Sequence, residues 1–551
     1  MRKAYRLLTA ALVGILLPAG VAAVPAAAAA DRTGSAESRR VDRVPTPKLA
    51  WASCYAYAEC ATVPLPLDYD QPQGATIDIA VLRVKAKDQQ HKIGSLFVNP
   101  GGPGGSGTAL ALDAPFFLSD SLLQRFDIVG VDPRGIGAST NVRCFGSVEE
   151  QTAVMSRFAL PFPYGKAEEK SHIAAAQAFG RACSTTGAPI SGAMSTAEVA
   201  RDMDVIRRAV GDRKLNYLGF SYGTALGQYY ANMFPDRFRA LVVDGVIDPR
   251  AWVGNTHEIL DARMHSAEGA FRALREVLLR CDRAGEQLCA FAAGDPVRRF
   301  DEIAQSLKQK PLDVVIDGET ITLTYPVFVD GVLGILYGPS AGDDLTGILA
   351  AIWTALQGGS TAALAGHIQE AAVADPYVNG FEAASSVICT DTREPADARS
   401  WPAATAARDR QAPYFGRDWG WLPSQCATDT WTVRDEDAYL GPFNRRTAAP
   451  VLVVGSFWDP ATNYDSAVAS SRLLPNSRLL SSNNWGHTGY GTGPCVTAAI
   501  DAYLLTGNPP ARGTVCTDAP QPFTGATATT LAATGKHLPP VVSLRPYSIL
   551  K

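Results

Sequence analysis

The sequence predicts an α/β fold in which helices cover a mostly parallel sheet and a large helical insertion interrupts it. Short runs rich in valine, isoleucine and leucine alternate with helical patterns from about Ile77 onward, which is typical of parallel strands buried on both faces. This alternation stops after Asp248 and resumes at Val451. The chain has 551 residues, 46% hydrophobic and 19% charged, and is long enough for a sheet domain and a second unit.

The beginning of the chain is typical of an exported protein. Basic residues precede an apolar run over residues 7–24 and a small-residue stretch over residues 25–30. A membrane anchor is the alternative, but the run is barely long enough to cross a bilayer, and no cysteine follows it directly to carry a lipid. We therefore expect a signal peptide over residues 1–30, a secreted, extracellular protein and no stable membrane association. Residues 31–50 are polar and contain prolines, so we expect a linker or propeptide there.

The ten cysteines favour disulfide bonds, because their number is even and the chain is expected to be exported. The sequence contains no Cys-x-x-Cys pair of the kind that binds a metal. Sequence alone cannot fix the connectivity, but the spacing favours pairing between neighbours. The expected pairs are Cys54–Cys60, Cys144–Cys183, Cys281–Cys289, Cys389–Cys426 and Cys495–Cys516.

Seven apolar runs are the predicted strands of the sheet. Ser195 and Glu198 form a capping-box pattern at the start of an amphipathic helix that extends to about Val210. The strands are expected at Ile77–Val84, Ser95–Asn99, Asp127–Val131, Leu215–Phe220, Ala240–Val246, Val451–Gly455 and Arg478–Ser481.

The insertion after Asp248 is expected to be a separate, mainly helical cap over the carboxyl edge of the sheet. About 200 residues separate Asp248 from Val451, too many for a single crossover between strands. Helical patterns in this region cover Thr256–Cys281, Leu345–Leu356 and Ser360–Val373. The expected units are residues 51–248 and 450–516 for the core, 249–449 for the cap and 517–551 for a C-terminal extension.

The segment Gly219–Gly223 has the Gly-x-Ser-x-Gly pattern of a nucleophile elbow, a sharp turn that presents a serine hydroxyl. The pattern recurs at Gly338–Gly342 around Ser340, so pattern alone does not choose between the two serines. Ser221 follows an apolar strand and precedes a segment that can begin a helix, whereas Ser340 lies in the expected cap. We predict Ser221 as the nucleophile, and its strand–elbow–helix setting predicts the α/β-hydrolase fold.

The glycine-rich loop Asn99–Gly107 follows a predicted strand and can supply an oxyanion hole. Its glycines allow the backbone to approach a substrate closely, and we predict the N–H groups of Gly102 and Tyr222 as the donors. A phosphate-binding loop is the alternative. It is disfavoured because no Lys-Ser or Lys-Thr follows and because two prolines in the run cannot donate N–H groups.

Seven histidines could supply the base, and this fold requires one after the last strand. His487 fits because it lies in a glycine-rich loop after the strand Arg478–Ser481. His257 and His265 are placed on a cap helix, where a solvated or packed histidine is the usual case, and His537 lies in the extension.

Asp459 is predicted as the carboxylate that orients the base, because it follows the strand Val451–Gly455. An aspartate that caps a turn or helix is the alternative. The chain order Ser221, Asp459, His487 matches the order that the fold imposes. In such a triad the histidine takes the serine proton, the acid stabilises the imidazolium and water hydrolyses the acyl-enzyme, so no metal or organic cofactor is implied.

The charge balance argues against nucleic acid as a partner. The chain has 50 basic and 54 acidic residues, a formal net charge of −4, and therefore no basic surplus to neutralise phosphates. The sequence does not indicate an oligomeric state.

Together these segments resemble the secreted tripeptidyl aminopeptidases, which are related to prolyl iminopeptidases among the serine peptidases of this fold. The resemblance covers Trp51 to Cys516. It rests on Asn99–Gly107, Asp132–Ser139, Leu215–Gly223, Cys389-Thr390-Asp391 and the segment from Pro450 to Cys516.

The resemblance implies that the protein removes short peptides from the free N-termini of peptides or proteins, with an acidic residue of the cap binding the amine. Asp391 and Glu382 are the candidates for that acid, and surface or structural roles are their alternative. Ile388 stands where an acidic residue would suit an amine-binding peptidase, and the chain carries an extra tail after Cys516. A secreted carboxylesterase acting on small acyl esters is therefore the alternative function, and an inactive binding scaffold is a third.

Overall fold

The computed structural model describes residues 36–158, 160–316, 319–365, 377–524 and 536–540. The expected signal peptide over residues 1–30 lies outside these ranges. Within them, ten strands form one sheet in the order β1-β2-β3-β5-β4-β6-β7-β10-β11-β12, and β8 and β9 form a separate hairpin. The strands are β1 Ala52–Cys54, β2 Ala58–Pro66, β3 Thr76–Val84, β4 Gly94–Asn99, β5 Phe126–Val131, β6 Leu215–Phe220, β7 Phe238–Asp244, β8 Leu312–Ile316, β9 Glu319–Leu323, β10 Val451–Trp458, β11 Ser477–Trp485 and β12 Val515–Cys516.

The sheet is antiparallel at one end and parallel through the rest. β1, β2 and β3 pair antiparallel, as do β3 and β5. From β5 to β12 every neighbouring pair is parallel. This arrangement confirms the predicted α/β fold, and each of the seven predicted strands is present within a few residues of its expected bounds.

Nineteen helices accompany the described strands. The first, α1, covers residues 36–42. The others are α2 Gly107–Phe117, α3 Asp120–Arg125, α4 Val148–Met155, α5 Lys166–Thr185, α6 Thr196–Ala209, α7 Tyr222–Met233, α8 Pro249–Val253, α9 Leu260–Met264, α10 Ser266–Ala284, α11 Pro296–Gln309, α12 Tyr325–Leu336, α13 Ala341–Leu356, α14 Ala362–Ala365, α15 Gly380–Asp391, α16 Trp401–Gln411, α17 Phe415–Trp421, α18 Tyr464–Leu473 and α19 Pro494–Thr506.

Helices cover both faces of the central strands, which explains their continuous apolar sequence. Along β10, Val451 and Val453 belong to one apolar core, and Leu452 and Val454 belong to another on the opposite face. The helices and the β8–β9 hairpin inserted between β7 and β10 form most of a third core, with the buried tryptophans Trp401 and Trp421, whereas α15 packs into the first. The insertion is therefore a packed unit and not an extended connection.

The long cap helix predicted over Thr256–Cys281 is broken into α9 and α10. His265 has a left-handed conformation (φ 57°) between them. The break is stabilised by Asp261, whose Oδ1 accepts a hydrogen bond from the Ala267 N–H at the start of α10 (3.0 Å). Apolar periodicity continues across the break, so the sequence pattern could not reveal it. The helix predicted over Ser360–Val373 is described only for Ala362–Ala365, and residues 366–376 lie outside the described ranges.

Residues 36–50, which belong to the predicted linker or propeptide, pack against the fold. Val41 is fully buried against the core, and Glu37 accepts a hydrogen bond from the buried Arg201 of α6 (2.9 Å). The Arg208 guanidinium also donates to the Val44 carbonyl (3.2 Å). Polar composition alone was misleading here, because the segment buries a few apolar side chains and anchors the rest through ion pairs.

All ten cysteines form disulfides, and the five predicted pairs are confirmed. The described part of the C-terminal extension also packs on the fold, since Phe523 lies in the core of the cap and the His537 N–H donates to the Phe116 carbonyl (2.8 Å). Across the ranges that the structure describes, no helix combines the length and apolarity needed to cross a membrane.

Candidate active site

Ser221 lies at the sharp turn between β6 and α7, as the elbow pattern predicts. Its backbone is strained (φ 55°, ψ −125°), and its N–H donates to the Asp244 carbonyl (3.0 Å). The flanking glycines are required by space: a Cβ on Gly219 would lie 2.5 Å from the Gly223 carbonyl oxygen, and one on Gly223 would lie 2.7 Å from Asn99 Oδ1. The side chain is 8% exposed, at the wall of a cavity.

The glycine-rich loop after β4 lies directly against this turn. Gly101 has φ +88°, and a Cβ there would lie 2.8 Å from Ser221 Cβ and 2.9 Å from the Tyr222 nitrogen. Gly102 lines the same cavity as Ser221. Tyr222 is the first residue of α7, so its N–H has no acceptor within the helix. The two predicted oxyanion donors are thus on the two segments that meet beside Ser221.

His487 and Asp459 form a buried hydrogen-bonded pair. His487 Nδ1 lies 2.9 Å from Asp459 Oδ2 and 3.0 Å from Oδ1. Asp459 also accepts from the N–H groups of Ala461 and Thr462 (2.8 Å each) and from Thr462 Oγ1 (2.9 Å). Because Asp459 accepts each of these hydrogen bonds, the His487 Nδ1 that faces it is the donor and carries the proton. His487 Nε2 has no hydrogen-bond partner among the described residues and is left with a free lone pair.

The cap contacts the histidine loop. The His487 N–H donates to the Tyr337 carbonyl (2.9 Å), and the two rings pack edge to face with centroids 5.1 Å apart. A Cβ on Gly486 would lie 2.5 Å from the same carbonyl oxygen. Ser340, the rival serine, lies three residues further on, exposed at the start of α13, where its hydroxyl donates to Asp344 (2.5 Å). The second glycine–serine pattern is therefore a helix start that packs near the site.

A narrow cavity of about 50 Å³ connects Ser221 to the cap. Its polar lining residues include Thr462, Ser266 and Asp261. Asp261 Oδ2 accepts from Arg408 Nε (3.0 Å). The wall is otherwise mostly apolar, formed by Ile247, Trp252, Leu260, Met264, Ile388, Trp419, Leu422 and Ala461 with the Tyr337 ring. Ile388 therefore lies in the cavity wall, at the position where the sequence departs from an acidic residue.

The structure does not bring Asp391 into this cavity. Its carboxylate is buried and accepts from the Thr196 N–H (2.8 Å), the Thr196 hydroxyl (2.5 Å) and Trp252 Nε1 (2.9 Å). Burial raises its pKa to about 6. Because the Thr196 hydroxyl donates to Asp391, it accepts from the Tyr222 hydroxyl. Asp391 thus hydrogen-bonds to Trp252 of the cavity wall and, through Thr196, to Tyr222. This corrects its assignment as an amine-binding group.

Glu382 also lies away from the cavity. Its oxygens accept from the Cys144 N–H (2.8 Å), Gln151 Nε2 (2.8 Å) and the Tyr377 hydroxyl (2.9 Å). Burial raises the pKa of this carboxyl. With every contact directed into the fold, Glu382 is the structural acid of the two alternatives. A sequence motif indicates that an acidic residue is present, but not the direction in which its carboxylate points.

Sequence reasoning missed two polar groups of the site. Asp261 lies at the broken junction of α9 and α10, where the helical pattern suggested only a continuous helix. Thr462 lies three residues after Asp459, and its Oγ1 is 3.4 Å from His487 Nδ1. The short spacing from a predicted acid was the one signal that could have drawn attention to Thr462.

Known proteins match this chain in fold and, in sequence, over most of its length. A family profile described as alpha/beta hydrolase fold matches residues 94–288, and one described as TAP-like protein matches residues 412–516. The tripeptidyl aminopeptidase of Streptomyces lividans is 31% identical over 547 residues, covering 92% of this chain and 95% of that protein. Serine protease Hip1 of Mycobacterium tuberculosis is 31% identical over 482 residues (83% and 87%). Carboxylesterase B of the same species is 32% identical over 515 residues (90% and 95%).

Proposed function

We propose that this chain, which belongs to the tripeptidyl aminopeptidase family of α/β-hydrolase serine hydrolases, is a secreted exopeptidase that removes tripeptides from free N-termini. The proposal follows from the membership of that family. The observation that carries the proposal is that a strained serine after β6 and a buried His487–Asp459 pair after β10 and β11 lie at the same edge of the parallel sheet. Export is supported by five disulfides, which persist in oxidising compartments.

In the proposed mechanism Ser221 Oγ attacks the carbonyl carbon of the scissile bond. His487 Nε2 takes the hydroxyl proton, and Asp459 stabilises the imidazolium that forms. The N–H groups of Gly102 and Tyr222 donate to the tetrahedral oxyanion. His487 then protonates the leaving amine, and a water molecule deprotonated by the same imidazole hydrolyses the acyl-enzyme to release the peptide acid.

Asp261 replaces Asp391 and Glu382 as the acid proposed to bind the substrate amine. It is the one acidic residue that lines the cavity in the part of the chain that the structure describes. Arg408 offsets part of the charge of Asp261, and burial raises the pKa of this carboxyl. The ammonium group of a substrate would donate to the carboxylate and favour the ionised form of Asp261.

Carboxylesterase activity is the second candidate, and the cavity wall favours it. Ile388 and the tryptophans Trp252 and Trp419 present apolar surface that suits a small acyl group. A relative of similar identity carries the name carboxylesterase B.

The nucleophile is tested by labelling with a fluorophosphonate, which reacts with activated serines. Wild type and Ser340→Ala are expected to label equally, and Ser221→Ala is expected not to label. Peptide mapping places the adduct. Retained labelling of Ser221→Ala, or an adduct on Ser340, contradicts the proposal.

The substrate class is tested with a free tripeptide anilide, its N-acetylated form and a short-chain nitrophenyl ester. An aminopeptidase hydrolyses the free anilide faster than the acetylated one, because acetylation removes the charge that the acid binds. Asp261→Asn should raise KM for the free anilide and leave the ester unchanged. Equal rates on both anilides contradict the exopeptidase, and hydrolysis of the ester alone establishes the second candidate.

A further inference from the structure

Asp244, the last residue of β7, holds the loop that carries His487. Its side chain is fully buried. Oδ1 accepts from the Gly489 N–H (2.8 Å), and Oδ2 accepts from the N–H groups of Gly489 (3.0 Å) and Tyr490 (2.8 Å). Two consecutive amides that follow the histidine are therefore tied to one carboxylate.

The backbone of the same residue holds the nucleophile. The Asp244 carbonyl accepts the Ser221 N–H at 3.0 Å, at the strained turn after β6. Asp244 thus bonds through its main chain to the serine and through its side chain to the loop of the histidine. These two catalytic segments are more than 260 residues apart in the sequence, and one residue of the intervening strand links them.

The next residue, Gly245, provides the surface on which the imidazole rests. It has φ +72°, and a Cβ there would lie 3.0 Å from His487 Cε1, 3.3 Å from Nδ1 and 3.0 Å from Thr488 Cγ2. Such contacts are too short for an alanine unless the histidine moves. The absence of a side chain at Gly245 is therefore what lets the ring lie in its place.

A carboxylate suits the position of Asp244 because each of its oxygens faces N–H donors. An asparagine offers one acceptor oxygen, and its NH₂ group would point a donor at one of the amides. Burial raises the pKa of Asp244 to about 6, whereas the two amides and the charge of His487 act in the opposite direction. The cost of burying this charge is consistent with a role that a neutral side chain cannot fill.

We propose that Asp244, together with Gly245, is a positioning residue that sets His487 at its working distance and angle from Ser221. The inference rests on the proposed triad, since it concerns the base of that triad. It predicts that the loop can shift without loss of substrate binding, because neither Asp244 nor Gly245 lines the cavity.

The test compares Asp244→Asn and Gly245→Ala by steady-state kinetics on the best substrate found above. Both variants are expected to lose about 100-fold in kcat, because a displacement of about 1 Å between reacting groups has that effect, with KM changed by less than about twofold.

Two matched variants control for general damage. Asp501→Asn alters a buried acid that accepts from the Tyr490 hydroxyl (2.9 Å) instead of its N–H, and Gly347→Ala adds a Cβ with no atom within 4 Å. Both are expected to keep kcat within about twofold. Melting curves show that each variant is folded before its kinetics are compared.

The outcomes separate this inference from the proposed function. If His487→Ala keeps normal activity, the triad itself is wrong. If His487→Ala is inactive but Asp244→Asn and Gly245→Ala both keep wild-type kcat, only the positioning inference is overturned. A rise in KM with unchanged kcat in either variant also overturns it, because that pattern reports substrate binding.

Discussion

His172 illustrates how burial decides the behaviour of a single histidine. It lies on α5 with its ring packed edge to face against Phe158 and Trp421, at centroid distances of 4.8 and 4.9 Å. Its Nε2 is 3.2 Å from the Ser424 hydroxyl. Burial lowers its pKa to about 3 from the ordinary 6.5, because the charged ring would lose its hydration. This histidine is neutral in the folded protein at any pH near neutrality.

The low pKa of His172 predicts a specific loss of stability in acid. Between pH 6.5 and 3 the unfolded state binds a proton that the folded state does not, so the free energy of unfolding falls as the pH is lowered through this window. At pH 4.5 the expected loss of unfolding free energy is about 3 kcal/mol relative to pH 7.5. His172→Gln should remove this part of the pH dependence, which urea unfolding at pH 4.5 and 7.5 measures.

The exposed His257 provides the comparison for this measurement. His257→Gln is expected to leave the difference between the two pH values as in wild type, because this side chain is solvated. A His172→Gln variant with the same difference as wild type would show that other groups dominate the acid response.

At the same scale, some site residues could be predicted from sequence and others could not. His487 and Asp459 were predictable because each follows a strand with an apolar signature, and parallel strands bring their carboxyl ends to one edge. The sequence around Asp391 and Asp244 does not indicate which groups their carboxylates contact. Whether a buried acid faces a cavity or an N–H group depends on residues such as Thr196 and Tyr490, which are distant in the chain.

At the scale of elements, the buried strands were predictable and the cap helices were less so. Continuous apolar runs such as β6 and β7 leave little choice of structure, because both faces are covered. The junction of α9 and α10 depends on a left-handed His265 and a cap from Asp261, neither of which changes the helical period. The antiparallel β1 and β2 at the sheet edge were missed because β1 has only three residues, none of them buried, and β2 mixes buried and exposed residues without a continuous apolar run.

A disulfide is expected to stabilise the protein more when it encloses a longer stretch of chain, with a logarithmic dependence on loop length. Cys389–Cys426 closes 37 residues and ties α15, which carries Ile388 of the cavity wall, to the turn Ser424–Cys426, whereas Cys54–Cys60 closes six residues at the sheet edge. Loop-closure entropy then predicts losses of about 4 and about 2 kcal/mol when each pair is replaced by alanine. Guanidinium unfolding of the two double variants measures this. Equal losses would mean that native packing, and not loop length, sets the effect.

At the scale of the whole molecule, Arg201 joins three parts of the chain. Its guanidinium is fully buried and donates to Glu37 (2.9 Å), to Glu198 of its own helix (2.5 Å) and to Asp437 in the segment that leads back to β10 (2.8 Å). The N-terminal segment, the core and the segment that returns from the cap thus meet at one cation. Sequence reasoning could not find this junction, because its members are 164 and 236 residues apart and follow no periodic pattern.

Replacing Arg201 should therefore destabilise the protein far more than replacing an exposed arginine. Arg201→Met takes one of two cations from each of three buried carboxylates, since Arg40 also pairs with Glu37 and Asp437 and Arg134 also pairs with Glu198. This costs about 3 kcal/mol, the low end for breaking a buried pair, whereas Arg298→Met removes an exposed pair with Glu302 worth about 0–1 kcal/mol. Urea unfolding compares the two variants at pH 7.5. Adding Glu37→Gln to Arg201→Met should cost less than Glu37→Gln costs alone, because the carboxylate has already lost one of its two arginine partners. Strictly additive losses would show that the N-terminal segment is held by its apolar contacts and that Arg201 stabilises only its own helix.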